Sequence, residues 1–127
     1  MAEQTLIERL RRIFSFTINN PAILGVLLYG SYATGDNTSR SDVDICIVAH
    51  GISNYDAWSY VIQNLGGEAE DKFDVRVFNE LPIQIQGQIL DKGIVIVSPD
   101  VPALYERLFP ARKQWDDWKY KMAHCVS

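Results

Sequence analysis

The sequence predicts a single α/β domain in which helices and strands are intermixed. Short apolar runs that suit strands alternate along the chain with longer amphipathic stretches that suit helices, and polar turn residues separate them. No repeat, linker or low-complexity segment divides the chain, and 127 residues suit one compact domain. We therefore assign residues 1–127 to one domain.

The first part of the chain predicts one helix and two strands. Residues 5–18 carry apolar side chains at helical spacing, and the Asn-Asn-Pro that follows should end that helix. Residues 23–29 are apolar throughout, which is typical of a central strand. Residues 30–41 are rich in small and polar residues and suit a loop or a short helix, and residues 43–49 suit a second strand.

A second amphipathic helix is predicted between a cap at Ser53 or Asn54 and Gly66-Gly67. Its apolar residues recur at helical spacing: Tyr55, Trp58, Val61, Ile62 and Leu65. This pattern predicts one apolar face.

The second part of the chain predicts a strand, a helix, a strand and a helix. Residues 72–78 alternate between apolar and polar, which indicates a strand with one buried face. Residues 82–92 suit a helix that begins with proline and ends before glycine, and residues 94–97 suit a short strand. A final helix should span about residues 101–122, where Pro110 should bend or interrupt it.

Aromatic residues on the final helix have two interpretations. Trp115, Trp118 and Tyr120 could pack on the core of the domain. Alternatively, they could form a face that binds a partner, because aromatic residues are enriched among the residues that dominate protein interfaces. The sequence leaves both interpretations open.

Composition excludes several classes of protein. The net charge of −4 argues against non-specific binding to nucleic acid, which needs a basic face, although a local basic pocket for a nucleotide remains compatible with it. No apolar run approaches the roughly 20 residues that span a membrane, and the N-terminus does not resemble a signal peptide. With only two cysteines, Cys46 and Cys125, we expect a reduced, cytoplasmic protein without a disulfide framework.

The first predicted strand leads into a pattern that suits phosphate and metal chemistry. Gly30-Ser31 follows that strand directly, and a glycine there lets the backbone approach a phosphate closely. Asp42 and Asp44 are two residues apart at the start of the second strand, so both carboxylates should lie on the same face. Two adjacent like charges favour a cation, and magnesium is a hard cation that shares carboxylates with phosphates.

A third carboxylate would complete such a site, and Asp74 is the best candidate. It lies on the polar face of the predicted strand over residues 72–78. If this strand lies beside that of Asp42 and Asp44, the three carboxylates could hold two magnesium ions. The alternative for Asp74 is a surface ion pair with Arg76, and the weaker candidates for the third carboxylate are Glu70 and Asp71.

Several segments together resemble one known family. The stretch over residues 30–44 resembles the signature of the polymerase-β-like nucleotidyltransferases, and its length resembles the minimal nucleotidyltransferases, the antitoxins of HEPN–MNT toxin–antitoxin pairs. Residues 72–82 resemble that family's third-carboxylate strand with its following Leu-Pro, and residues 88–93 with the strand after them are also similar. The resemblance implies the polymerase-β-like nucleotidyltransferase fold, a mixed sheet flanked by helices.

The resemblance also implies roles for individual residues. Asp42, Asp44 and Asp74 would be the catalytic carboxylates and the magnesium ligands, with Asp74 orienting or deprotonating the acceptor hydroxyl. Gly30 and Ser31 would cradle the triphosphate of ATP.

The loop before Asp42 adds two further nucleotide-binding candidates. Arg40 suits a phosphate contact because a guanidinium matches phosphate oxygens, and Ser41 lies beside it. A solvated loop cation is the alternative for Arg40, and Lys72 is a lesser candidate of the same kind.

The activity implied by the resemblance is AMP transfer from ATP to a tyrosine hydroxyl of a cognate HEPN ribonuclease toxin, which silences the toxin. It implies a hetero-oligomer with that toxin, ATP as substrate, and neither a nucleic acid nor a membrane as partner. Two alternatives stay open. The chain could be a nucleotidyltransferase for a small molecule such as an aminoglycoside, although we expect no second domain that would shape such a pocket. It could also be a non-catalytic antitoxin that masks the toxin by binding it.

Overall fold

A computed structural model describes residues 4–66 and 73–125 and confirms the α/β prediction. Within those ranges the strands are β1 (Ile23–Tyr29), β2 (Val43–Ala49), β3 (Phe73–Val77) and β4 (Ile94–Val97). The helices are α1 (Gln4–Ile13), α2 (Ser31–Thr34), α3 (Asn54–Leu65), α4 (Ile83–Lys92) and α5 (Val101–His124). The bounds of β1, β2 and β4 agree with the predicted strands.

The four strands form one mixed sheet in the order β3-β2-β1-β4. β1 pairs antiparallel with both β2 and β4, whereas β2 and β3 are parallel. Tyr29 of β1 is opposite Asp44 of β2, and Asp44 is opposite Asp74 of β3. These three residues therefore form one row across the sheet.

Each face of the sheet has its own apolar core. On one face, α1 and α3 pack on the strands through buried residues that include Ile7, Leu10 and Val61. On the other face, the helices α4 and α5 pack through Ile89 and Leu104, among others. Because successive side chains of a strand point to opposite faces, Asp44 lies on the same face of β2 as Cys46, which is the α4–α5 face.

The first helix is shorter than the prediction over residues 5–18. α1 ends at Ile13, and a 3₁₀ turn spans Ser15–Asn19. Two hydroxyls there bond to backbone carbonyls three residues earlier: Ser15 donates to Arg12 at 2.9 Å, and Thr17 donates to Phe14 at 2.8 Å. Such side-chain bonds compete with the helical ladder, which explains the tighter turn.

The apolar residues of α3 do not form the single face that was predicted. Ala57, Val61 and Leu65 are buried in the core, whereas Tyr55 and Trp58 are exposed. Residues spaced by four form the buried stripe, so side chains at the intervening positions point past it. The hydroxyl of Ser53 caps the helix by accepting from the Asp56 amide at 3.0 Å, as predicted.

The last helix is not interrupted at Pro110, because α5 is continuous over Val101–His124. Pro110 is exposed, so the carbonyl that loses its helical partner has access to water. Trp115 of α5 is buried against α4, and its Nε1 donates to Asp91 at 2.9 Å. The ring of Trp118 stacks on the ring of Trp115, with 5.3 Å between the ring centroids. The core interpretation is therefore correct for Trp115, whereas Tyr120 is exposed.

Smaller features complete the comparison with the predicted elements. β3 covers Phe73–Val77 of the predicted 72–78 strand, and a 3₁₀ turn spans Phe78–Glu80. Cys46 is buried in β2 and Cys125 is exposed after α5, and both are free thiols. None of the described helices is both long enough and apolar enough to cross a membrane.

Candidate functional site

The turn after β1 brings its backbone against the carboxylate of Asp44. Gly30 has φ 74° and ψ −154°, a combination that is essentially restricted to glycine. A Cβ built on Gly30 would collide with Oδ2 of Asp44, so no side chain fits between them. The sequence predicted that the backbone of Gly30 approaches a phosphate, and in this structure its close neighbour is the Asp44 carboxylate.

The short helix α2 starts immediately after this glycine. Its first backbone bond runs from the Ala33 amide to the Gly30 carbonyl at 3.1 Å. The amides of Ser31 and Tyr32 precede that bond, and the first amides of a helix have no partner within it. Gly35, with φ 87°, ends the helix in the left-handed conformation. The turn thus presents amide donors next to the end of β1.

The structure brings the three predicted carboxylates to one edge of the sheet. Asp44 is half-buried in β2, Asp74 is opposite it on β3, and exposed Asp42 precedes β2 by one residue. The neighbouring strands are parallel and in register, so Asp44 and Asp74 project from the same face. The pairing on which the predicted convergence depended, that of the strands carrying Asp44 and Asp74, is therefore present.

Electrostatics couple these groups. The pKa of Asp44 is raised, first by burial and then by the negative charges of Asp74 and Asp42. The pKa of the Tyr29 phenol at the end of β1 is also raised, mainly by burial and then by Asp44. A cation placed among these carboxylates would lower the pKa of both Asp44 and Tyr29.

Asp74 also forms an ion pair with Arg76, which the sequence analysis gave as the alternative to a role in metal binding. Nε of Arg76 donates to Oδ1 of Asp74 at 3.0 Å, and the two side chains are 57% and 36% exposed. Exposed pairs of this kind contribute little to stability. The pair raises the pKa of Arg76 through the hydrogen bond from its guanidinium to Asp74. Arg76 therefore partly neutralises Asp74, and the pair still leaves Asp74 beside Asp44.

The carboxylates fit magnesium as ligands that are shared with a substrate. Among residues 4–66 and 73–125, no three acidic, histidine or cysteine side chains form a preassembled metal cluster. Magnesium in nucleotide enzymes, however, is commonly held by one or two carboxylates together with substrate phosphates and water. Asp42 and Asp44 are two such carboxylates, and the negative charges of Asp74 and Asp42 add to the effect of burial in raising the pKa of Asp44.

A cavity of about 390 Å³ adjoins the turn after β1. Gly30 and Ser31 form one wall, and the last turn of α4 forms another through Gln88, Asp91 and Lys92. Sequence reasoning missed Gln88 and Lys92 as site residues, because they lie about 60 residues after Gly30 and no spacing rule links them. A lysine in the last turn of a helix is also an ordinary feature that complements the helix dipole.

The remaining predicted positions lie in the loop before β2 or outside the described chain. Ser41 accepts from the Thr38 amide at 2.8 Å, so its hydroxyl helps to hold the loop. Arg40 is exposed, and among the described residues neither it nor Ser41 lines the cavity beside Gly30. The weaker candidates Glu70, Asp71 and Lys72 lie outside the described residues.

Sequence comparison connects the chain with a family and a relative. The family model described as polymerase beta, nucleotidyltransferase matches residues 11–101, a span that contains every one of these site residues. A protein of Methanocaldococcus jannaschii, provisionally named a protein adenylyltransferase, is 34% identical over 100 residues, which cover 79% of this chain and 75% of the relative.

Solved structures share the fold at low sequence identity. A crystal structure of a toxin–antitoxin with AMP-PNP superposes with a TM-score of 0.64 at 18% identity, covering 92% of this chain and 90% of the other. A Shewanella oneidensis structure of a tri-AMPylated HEPN toxin in complex with MNT antitoxin gives a TM-score of 0.62 at 15% identity, covering 94% and 92%. A nucleotidyltransferase-type structure from Sulfolobus solfataricus gives 0.52 at 17% identity, covering 75% and 82%.

Proposed function

This chain belongs to the polymerase beta nucleotidyltransferase family, and from that premise we propose that it is an antitoxin that transfers AMP from ATP to a tyrosine hydroxyl of a HEPN toxin. The curated relative at 34% identity carries protein adenylyltransferase in its name, which supports a protein acceptor. The fold likeness to toxin–antitoxin complexes, one with AMP-PNP and one with an AMPylated toxin, supports the nucleotide and the partner.

One observation carries this proposal above the others. Asp44 lies in the same row as Asp74 and directly against the backbone of Gly30. The turn that we propose binds phosphate therefore adjoins Asp44, and Asp44 is paired with Asp74 on the next strand. Such a grouping suits transfer of a nucleotidyl group, in which catalysis depends on positioning and charge stabilisation.

In this proposal, the cavity beside Gly30 receives the β- and γ-phosphates of ATP. The amides of Ser31 and Tyr32 at the start of α2 would donate to them, and Lys92 across the cavity would add a cation. Arg40, on the exposed loop before Asp42, remains a candidate for a further phosphate contact. The net charge of −4 makes this local supply of donors necessary for a polyanionic substrate.

Asp42 and Asp44 would hold magnesium together with the phosphates, with Asp74 completing the set for a second ion. When bound, the metal would neutralise phosphate charge and polarise the α-phosphate. The tyrosine oxygen forms a bond to the α-phosphorus, and the bond from that phosphorus to the bridging oxygen breaks. Pyrophosphate leaves with the bridging oxygen, and a carboxylate oxygen of Asp74 accepts the phenolic proton.

The decisive experiment incubates the purified chain with α-labelled ATP, magnesium and a candidate HEPN toxin, which is to be sought as a short helical protein encoded by a neighbouring gene. We expect label on a tyrosine of that partner, and we expect Asp42→Asn with Asp44→Asn to abolish transfer, a loss of at least about 100-fold. Asp117→Asn, an exposed carboxylate on α5, is the matched control and should retain full activity. Wild-type protein that labels no partner would refute the proposal.

Toxin neutralisation separates catalysis from masking. If the Asn double variant still binds the partner but no longer protects cells from it, AMP transfer is the antitoxin mechanism. Full protection by that catalytically dead variant would instead establish masking by binding. Transfer to a small-molecule acceptor such as an aminoglycoside, with no transfer to the partner, would show that the chain is a small-molecule nucleotidyltransferase.

A further inference from the structure

A groove of about 620 Å³ runs along β3 on the side of the carboxylates away from Gly30. We propose that this groove binds an extended, tyrosine-bearing segment of the partner protein as an additional strand on β3, with the phenol at Asp74. The inference rests on the proposed AMP transfer and names the binding site of its acceptor.

The free edge of β3 forms one side of the groove. Within the part of the chain that the structure describes, β3 is an outermost strand of the sheet. One side of β3 pairs with β2, and no described strand pairs with its other side. Four consecutive residues, 73–76, line the groove, so it follows the strand instead of crossing it. An outermost strand presents unpaired amides and carbonyls, which an extended peptide can pair with.

Aromatic side chains of α3 form the opposite wall. Tyr55, Trp58 and Ile62 line the groove at positions i, i+3 and i+7, which share one side of a helix. The rings of Tyr55 and Trp58 are 6.3 Å apart, and the two residues are 71% and 38% exposed. Exposed aromatic residues beside an open edge strand provide apolar contacts for alternate side chains of a bound peptide.

The position of Asp74 identifies the occupant. Asp74 lines the groove and is also the carboxylate beside Asp44, so a segment lying here presents its side chain to the reacting centre. The charged residues that line the groove are Asp74, Arg76 and Glu80, a net negative set that disfavours a nucleic acid. The phosphate cavity lies beyond β1, so acceptor and triphosphate approach Asp44 from different sides.

The first test truncates the aromatic wall and measures transfer to the partner protein. We expect Tyr55→Ala with Trp58→Ala to raise the KM for the partner at least about tenfold, with kcat and the Kd for Mg·ATP unchanged. Tyr105→Ala with Phe109→Ala is the matched control, because these α5 aromatics are 57% and 59% exposed and do not line the groove. The control should leave the KM unchanged.

The second test examines the backbone pairing. Peptides of 11 residues centred on the labelled tyrosine are synthesised with single N-methyl groups at successive positions. A peptide that adds a strand to β3 points alternate amides at it, so methylation at every second position should weaken transfer at least about tenfold. Methylation at the intervening positions should have no effect.

The outcomes separate this inference from the proposed function. If the wild type transfers label and the aromatic variant has an unchanged KM for the partner, the groove is not the acceptor site. This result would leave the proposal of AMP transfer intact. If that variant has a raised Kd for Mg·ATP and an unchanged KM for the partner, the groove binds the adenine of ATP instead. This result would also overturn the inference. Uniform tolerance of N-methylation overturns the added strand. Absence of transfer by the wild type refutes the proposed function and the acceptor groove with it.

Discussion

Asp44 is the residue at which stability and the proposed function conflict. Burial and the charges of Asp74 and Asp42 raise its pKa, which means that its ionised form is disfavoured in the folded chain without a cation. We expect Asp44→Asn to stabilise the nucleotide-free protein at pH 7 and to raise its unfolding midpoint by a few degrees. Chemical and thermal unfolding followed by circular dichroism measures both.

The dependence of this effect on pH has a defined sign. The folded chain binds more protons than the unfolded chain between the usual Asp pKa of 3.8 and the raised pKa of Asp44. Stability of the wild type therefore falls as the pH rises through that window, and the penalty is constant above it. The advantage of Asp44→Asn should vanish below about pH 3.8, whereas Asp117→Asn should show no such advantage. A pH-independent advantage would contradict the electrostatic cause.

Gly30 allows a prediction that separates backbone strain from crowding. Gly30→Ala places a Cβ at φ 74° and against the Asp44 carboxylate. Gly51→Ala also places a Cβ at positive φ, here 85°, but nothing lies within 4 Å of that Cβ. We expect Gly51→Ala to cost roughly 1–2 kcal/mol in unfolding free energy and Gly30→Ala to cost clearly more. Equal costs in urea unfolding would show that the contact with Asp44 is unimportant.

The sequence predicted those site residues that are close together along the chain. Gly30, Ser31, Asp42 and Asp44 lie within one strand-loop-strand unit, and side-chain alternation fixes the relation between the two aspartates. Asp74 was predicted through the polar face of its strand. Lys92 was not predicted, because only the packing of α4 beside β1 brings it to the cavity, and that packing leaves no local pattern.

At the scale of elements, α4 and α5 meet at one tight contact. A Cβ built on Gly87 of α4 would overlap the indole of Trp115, and that indole also donates to Asp91 on the same helix. The Trp115 bond and the Arg112 ion pair lower the pKa of Asp91. Gly87 therefore sets how closely the two helices approach.

This contact predicts a reversal of the usual helix preference. Gly→Ala in a helix interior normally stabilises by about 1 kcal/mol. Gly87→Ala should instead destabilise by about 1–3 kcal/mol, because the methyl group forces the indole to move. Urea unfolding measures the change, and Trp115→Leu in the same chain should recover part of the loss through their coupling. A stabilised Gly87→Ala variant would show that the helices separate without cost.

Strands were predicted more accurately than helix ends and helix faces. Three strands have the predicted bounds because each lies between turn residues and is mostly apolar, with Asp44 of β2 as the charged exception. The end of α1 depends on the hydroxyls of Ser15 and Thr17, which helical periodicity does not weigh. The face of α3 was wrong because apolar periodicity cannot distinguish a residue in the core from one that overhangs an edge strand, as Tyr55 and Trp58 do.

At the scale of the whole molecule, strand order determines the site. β2 lies between β1, which ends at the Gly30 turn, and β3, which carries Asp74. The parallel pairing of β2 with β3 requires the crossover that contains α3, and this crossover also brings the aromatic wall to the groove. The family resemblance implied a mixed sheet, but the sequence did not predict this order, because pairing partners depend on contacts between distant segments.

The same arrangement predicts how ligands stabilise the chain as a whole. The strands that carry Asp44 and Asp74 are paired in the folded protein and not in the unfolded protein, so Mg·ATP should bind only the folded form. A non-hydrolysable ATP analogue with magnesium at 100 times its Kd should then add about 2.7 kcal/mol to the unfolding free energy. The analogue with a chelator, or magnesium alone, should add much less, because the carboxylates and the phosphates share the ion. Asp42→Asn with Asp44→Asn should lose the gain in a thermal shift titration, while Gly87→Ala should keep it despite a lower starting midpoint. An equal gain in the Asn variant would place the nucleotide elsewhere on the protein.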